Sequence, residues 1–224
     1  MIEIRRIVVG PLATNCWAVH ATGSRQALLI DPGDSPDRVL AAVADLEITA
    51  IVLTHAHFDH VLGVSAIDAP VLGHRAEEQV WHHELAYLDR HGHFDAGLDT
   101  AKLLAEGHSL TPRPGSTVWS FDDHIGEQTL RAGPLEVQVL HTPGHTPGGV
   151  TLAVPGHLVT GDTLVPGGPG LTGWPLSDFP TIIRSVRRLL HDFPADTVIH
   201  PGHGLDTTVG TEKPSLPEWA ARGW

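Results

Sequence analysis

The chain has one cysteine, one tyrosine and one methionine among its 224 residues, and 14 lysines and arginines against 26 aspartates and glutamates. A lone thiol, Cys16, excludes an intrachain disulfide and fits a reducing compartment. The formal net charge is −12, and the few cations form no cluster of the kind that grips phosphates. Nucleic acid is therefore not an expected partner. Lysine occurs only at Lys102 and Lys213, and with 24 glycines and 18 prolines this suggests a GC-rich bacterial genome. No apolar stretch approaches the roughly 20 residues that a membrane-spanning helix needs. The opening MIEIRRIVVG lacks the long apolar segment and small-residue cleavage site of a secretory leader. The expectation is a cytoplasmic protein without a membrane partner.

A hydrophobic content of 41% with 18% charged residues describes a packed chain, of a length that suits one domain or two similar halves. Strand-like runs occupy 2–9, 15–20 and 26–31, the last ending in the turn Asp31-Pro32-Gly33. Ser35-Pro36 then reads as a helix start, followed by Val39, Leu40, Val43 and Leu46 at helical spacing. Short strands follow at 49–53 and 70–73, and a helical pattern runs from 74 to about 89. Residues 74–120 read as an excursion from the sheet, a cap or insert, with a second helix near 97–106. Strands resume at 128–131, 135–141, 149–154 and 157–161; a helix at 178–192 and a last strand at 196–200 complete the chain. Strands followed by a helix occur in both halves, which suggests two packed sheets with helices outside.

Polar chemistry gathers where apolar strands end. Residues 54–60 read THAHFDH, directly after the run AIVL. In an extended stretch alternate side chains share a direction, so His55 and His57 can reach one ion together, while Asp59 and His60 can face another. HTPGH supplies His145, TGDT supplies Asp162 and PGHG supplies His203, each within tight Gly/Pro loops that hold a side chain rigidly. Imidazole and carboxylate are zinc's ordinary nitrogen and oxygen ligands. With 17 histidines, several must be bystanders. His82, His83, His91 and His93 belong to the cap, and His141 and His200 to strand bodies, so none of these six is expected to ligate. Cys16 reads as core rather than as a nucleophile.

These four segments, in this order, resemble the metallo-β-lactamase-fold hydrolases along nearly the whole chain. The resemblance implies an αββα four-layer sandwich with a metal site at the shared edge of its two sheets. It also implies that His55, His57 and His145 hold one divalent ion, that Asp59, His60 and His203 hold a second, and that Asp162 bridges them. Zinc is the foremost candidate, with iron or manganese as alternatives. HTPGHTPGG, GDTL and the ending PGHGLDTTVGTE are similar to small glyoxalase II-like enzymes, which hydrolyse acyl thioesters of the hydroxyacylglutathione type. Two departures bear on the thiol carrier. The Gly-Arg-x-Asp stretch usual after GDTL is replaced by GGPGLTGWPLSDF at 167–179, and only about twenty residues follow His203. The stretch through PLSDFPTIIRS is similar to a branch of small actinobacterial hydrolases, for some of which a mycothiol thioester has been suggested.

The expected activity is hydrolysis of a small-molecule acyl thioester by a hydroxide held between the two ions, with Asp59 and Asp162 as catalytic carboxylates. A thiolate, with a thiol pKa near 8.5, departs without a proton donor, whereas an amide nitrogen requires one. Imidazoles must be deprotonated to ligate, so activity should fall below about pH 6. A persulfide dioxygenase with one iron on His55, His145 and Asp162 is the main alternative, and a lactonase or other ester hydrolase on the same fold another.

Overall fold

The computed structural model describes residues 1–93, 119–121 and 128–223, and the helix expected near 97–106 lies outside these. Six strands form the first sheet in chain order: β1 (Ile2–Val9), β2 (Thr14–Ala21), β3 (Gln26–Ile30), β4 (Glu47–Val52), β5 (Val71–His74) and β6 (Trp119–Phe121). The first three pair antiparallel, and β3 through β6 run parallel. The second sheet is built from β7 (Thr129–Ala132), β8 (Leu135–His141), β9 (Val150–Val154) and β10 (His157–Gly161). A two-stranded ribbon, β11 (Leu164–Val165) with β12 (Gly168–Pro169), stands apart. The late strands β13 (Val198–Pro201) and β14 (Thr207–Thr208) complete the second sheet in the order β14-β13-β10-β9-β8-β7.

Parallel neighbours need a crossover, and the helices supply it. The chain carries α1 (Pro36–Ala42), α2 (Phe58–Val61), α3 (Glu77–His91), α4 (Phe179–Asp192), α5 (Val209–Glu212) and α6 (Leu216–Arg222). Ser35 does precede α1, with Pro36 in its first turn, but its φ of 52° is left-handed and its side chain caps nothing. Asp178 performs that task for α4, accepting from Thr181 N at 2.8 Å. None of the described helices is long and apolar enough to cross a membrane.

Alternation along the strands explains the four layers. Trp17, Val19, Leu28, Ile30, Ala50 and Val52 of the first sheet meet Val137, Val139, Val150, Leu152 and Val159 of the second in one buried cluster. The intervening residues Cys16, Ala18, Leu29, Ile51 and Leu53 turn outward against Val39 and Val43 on the α1 side. On the far side Ala153, Leu158 and Ile199 pack under Ile182, Val186, Leu189 and Leu190 of α4. Both faces of each sheet are thus covered, which is why these strands read as near-continuous apolar runs. N-terminal Ile2 and Ile4 pack between the sheets and Ile7 and Val9 pack outside, so β1 serves both layers.

The two halves are also tied by polar contacts. Asn15 N donates to Gly202 O at 2.7 Å, and Asn15 Nδ2 reaches Pro201 O at 3.0 Å and Gly204 O at 2.9 Å. Trp17 Nε1 donates to the same Pro201 carbonyl at 3.0 Å, and Thr14 and His203 form an antiparallel bridge. The strand β4 ends at Val52, β8 at His141 and β10 at Gly161; β13, parallel to β10, ends at Pro201, and each ligand segment lies at or just beyond such an end. All four expected ligand segments therefore emerge on one edge.

Candidate metal centre

The structure brings His55, His57, Asp59, His60, His145, Asp162 and His203 together at that edge. His55, His57 and His145 present ligand atoms within 4.8 Å of one another, and so do Asp59, His60 and His203. His145 Nε2 lies 3.0 Å from His57 Nδ1. Asp162 stands between the groups: its Oδ2 is 3.7 Å from His145 Nε2 and 3.5 Å from His203 Nε2, and its Oδ1 is 3.8 Å from His60 Nε2. Asp59 Oδ2 closes the second group at 3.3 Å from His203 Nε2 and 3.5 Å from His60 Nε2.

A test of fit lies in the atoms that make no hydrogen bond. His55 Nε2, His60 Nε2 and Asp162 Oδ1 are buried and unpartnered, and all three point into this cluster. Each such group costs about 1–3 kcal/mol if nothing satisfies it. Three of them converging, with imidazole and carboxylate chemistry, form a group able to bind metal cations of the zinc or iron type.

The neighbours fix which nitrogen faces inward. His145 Nδ1 is 2.6 Å from Leu171 O, and His203 Nδ1 is 3.2 Å from Leu12 O, so each directs Nε2 to the centre. His60 Nδ1 is 2.9 Å from Asp31 Oδ2, and His55 Nδ1 is 3.1 Å from Thr54 Oγ1. Thr14 Oγ1 donates to Asp59 Oδ2 at 2.7 Å. Such outer partners orient metal-binding imidazoles and carboxylates.

Electrostatics divides the histidines. Burial pulls His55, His57 and His145 below the usual imidazole range, and neighbouring imidazolium charges reinforce this at His55 and His57. Burial also opposes charge on His60, but Asp59, Asp31 and Asp162 outweigh it and push this group up to about 10. His203 is raised despite burial by Asp59 and Asp162. Burial pulls Asp59 upward, yet His60 and His203 hold it well below the usual carboxylate range.

Two residues that sequence reasoning did not single out shape the site. Asp31, which the sequence presents as part of a turn, has a positive φ of 51°. Its carboxylate accepts from Thr54 N at 2.7 Å and Thr54 Oγ1 at 2.5 Å, besides facing His60. Glu77, wholly buried at the start of α3, accepts from Ala56 N and from Gly148 N, both at 2.7 Å. It clamps the THAH loop to the HTPGHTPGG loop. Burial pushes its carboxyl up to about 7 against the pull of its donors. The signal available was one of two adjacent acidic residues, Glu77 and Glu78, in the first turn of a helix, which is too common to interpret alone.

Two glycines are required by close approach. A Cβ on Gly202 would stand 2.1 Å from Asp162 Oδ1, and one on Gly33 would stand 1.6 Å from Asp59 O. The DPG turn and the PGHG loop are therefore glycine-bearing because ligand segments pass directly against them.

The other histidines sit apart. His141 Nε2 lies 3.0 Å from Pro147 O within its own loop, and His200 pairs with His157 at 3.0 Å. His82 is largely exposed beside Glu78, while His91 and His93 pack around Tyr87. Only His83 of the cap set reaches the cavity next to the ligand cluster. That cavity has a volume of about 450 Å³, with ligands His57, Asp59, His145, Asp162 and His203 in its wall. Trp174 meets the rings of His57 and His145 edge-on, with centroids 6.0 and 6.1 Å away.

The family model described as "Metallo-beta-lactamase superfamily" matches residues 9–203. A probable metallo-hydrolase, YqgX of Bacillus subtilis (strain 168), is 32% identical, with 95% of this chain and 95% of the relative covered. Hydroxyacylglutathione hydrolase GloC of Haemophilus influenzae is 29% identical, with 96% and 97% covered. Among solved structures, TTHA1623 in a di-iron-bound form has a TM-score of 0.73 at 32% identity, covering 96% of this chain and 99% of that one. ETHE1 from Myxococcus xanthus has a TM-score of 0.71 at 26% identity, covering 98% and 85%.

Proposed function

Because the chain belongs to the metallo-beta-lactamase superfamily, we propose that it is a metal-dependent hydrolase that cleaves an acyl thioester of a small thiol. The observation that carries this reading is the pair of ligand groups opening on an apolar cavity, with buried imidazole nitrogens that make no hydrogen bond to the protein. His55, His57 and His145 would hold one ion, Asp59, His60 and His203 a second, with Asp162 between them. Bound divalent ions supply Lewis acidity, polarising a carbonyl and making water a nucleophile near neutral pH.

The protein's own side chains do the rest. Leu171 O, Leu12 O and Asp31 hold three imidazoles in the tautomer that leaves Nε2 inward. Thr14 fixes the Asp59 carboxylate, which with Asp162 sets the negative charge against which a carbonyl carbon must be presented. Trp174 and Leu171 exclude bulk water from the outer side of the cluster. Val80, His83, Glu84 and Tyr87 of α3 line the facing wall, and we assign to this described part of the 74–120 insert the role of a cap. The thioester is preferred over the lactam because the leaving thiolate needs no proton. GloC, a relative named as a hydroxyacylglutathione hydrolase, supports the same substrate chemistry.

A one-iron oxygenase built on His55, His145 and Asp162 is the second reading, and metal content separates the two. About two divalent ions per chain, with hydrolysis in a panel of acyl thioesters, is the expected result. One iron per chain, with oxygen uptake and no thioester hydrolysis, would overturn it.

A further inference from the structure

The turn at 174–177 carries a side chain that its own geometry disfavours. Ser177 N donates to Trp174 O at 3.2 Å, and Ser177 Oγ bonds to the same carbonyl at 2.8 Å while accepting from Gly173 N at 2.8 Å. Pro175 is followed by a residue with φ of 73°. Proline and then a positive φ is the pattern of a type II turn, in which glycine or asparagine belongs at the second of these positions. Here that residue is Leu176. A bulky side chain at positive φ is strained, and strain of this kind gathers at functional sites.

Burial does not compensate for the strain, since Leu176 is 43% exposed. It lines the mouth of the cavity together with Leu12, Leu171 and Trp174, which are also exposed. These are four of the seven exposed large hydrophobics among the described residues, so the exposed apolar surface is concentrated at the site. No lysine or arginine is among the described residues of the cavity wall. A phosphate or carboxylate at this mouth would meet no lysine or arginine side chain, whereas an alkyl chain would cover Leu176 and Trp174.

We infer that Trp174, Leu176, Leu171 and Leu12 form an acyl subsite for an apolar aliphatic acyl group, and that Leu176 determines this specificity. The inference rests on the thioester reading above for its substrate and deepens it by naming the acyl class. The reaction is unchanged: water adds its oxygen to the acyl carbon, the carbon–sulfur bond breaks, and the thiolate leaves.

The test compares acetyl and hexanoyl thioesters of N-acetylcysteamine, an uncharged thiol, on the metal-loaded enzyme. Each methylene buried in the subsite should raise kcat/KM about fourfold, and partial burial of four methylenes gives an expected hexanoyl preference of tenfold or more. Leu176→Gly and Leu176→Asn both suit the positive φ, so each should fold with an unchanged or higher Tm. In both, the hexanoyl-to-acetyl ratio should fall about tenfold. A wild-type ratio near one, or variants that retain the wild-type ratio, would overturn the subsite. If no thioester at all is hydrolysed, the thioester reading fails, and calorimetric binding of hexanoate against acetate then decides the subsite separately. Tighter hexanoate binding lost in both variants supports it, and equal binding overturns it.

Discussion

At neutral pH the imidazoles of the centre fall into two electrostatic populations. His55, His57 and His145 are shifted toward the neutral form by burial, while nearby carboxylates hold His60 charged and shift His203 toward the charged form. Asp162 touches both populations and is the residue whose loss should matter most. Replacing it by alanine leaves His60 and His203 with less compensation and removes the link between the two groups. Asp162→Ala should therefore lower kcat by about a hundredfold or more, beyond what loss of an outer partner costs. His82, 71% exposed on the outer face of α3, is the control: His82→Ala should stay within about twofold. Equal losses in steady-state assays of the two variants would break this division.

At the scale of elements, α3 does more than border the cavity. Through Glu77 its first turn holds the backbone of two ligand loops that are otherwise distant in sequence. A glutamine there keeps one acceptor oxygen and turns an N–H donor toward another N–H donor. Glu77→Gln should thus cost about 1–3 kcal/mol in unfolding free energy. It should also weaken metal binding about 10–100-fold in chelator competition, although Glu77 is not itself a ligand. A variant that loses stability but keeps full metal affinity would show that the clamp is only structural.

The same scale explains what was legible beforehand. Strands β1 to β4 and β8 to β10, and the helix α4 with Ile182, Ile183, Val186, Leu189 and Leu190 inward, carry enough residues to express a period. Strands β6, β11, β12 and β14 contain two or three residues, too few for alternation to register. The ligand-type residues of THAHFDH were legible because their spacing is local; His145, Asp162 and His203, one to a loop, were legible only together, by their order after strands. Asp31 and Glu77 were not, because their meaning arises only from Thr54, His60, Ala56 and Gly148, which the fold brings beside them.

For the molecule as a whole, the two populations predict how metal loading responds to pH. His60 and His203, with raised pKa values, must release protons before they can ligate, so affinity at their group falls as pH falls. His55, His57 and His145, with lowered values, have no proton to release near neutrality. Zinc calorimetry between pH 6.5 and 8.5, in buffers of different ionisation heat, should find one binding event without proton release and one with it. Proton release in both events, or in neither, would contradict the division. Two divalent ions would also soften the net charge of −12 without reversing it.

The contacts from Asn15 and Trp17 to the PGHG backbone have a consequence for timing in the cell. Chains emerge from the ribosome N-terminus first and fold as they appear. THAHFDH is exposed early, but Asp162 comes much later and His203 later still. The strand beside which His203 is seated is made early: β2 carries Asn15, whose side chain reaches the carbonyls of Pro201 and Gly204 once these are added. A nascent chain therefore has no complete second group to capture a stray cation. The second group, Asp59, His60 and His203, is thus completed later in synthesis than the first, whose last residue is His145.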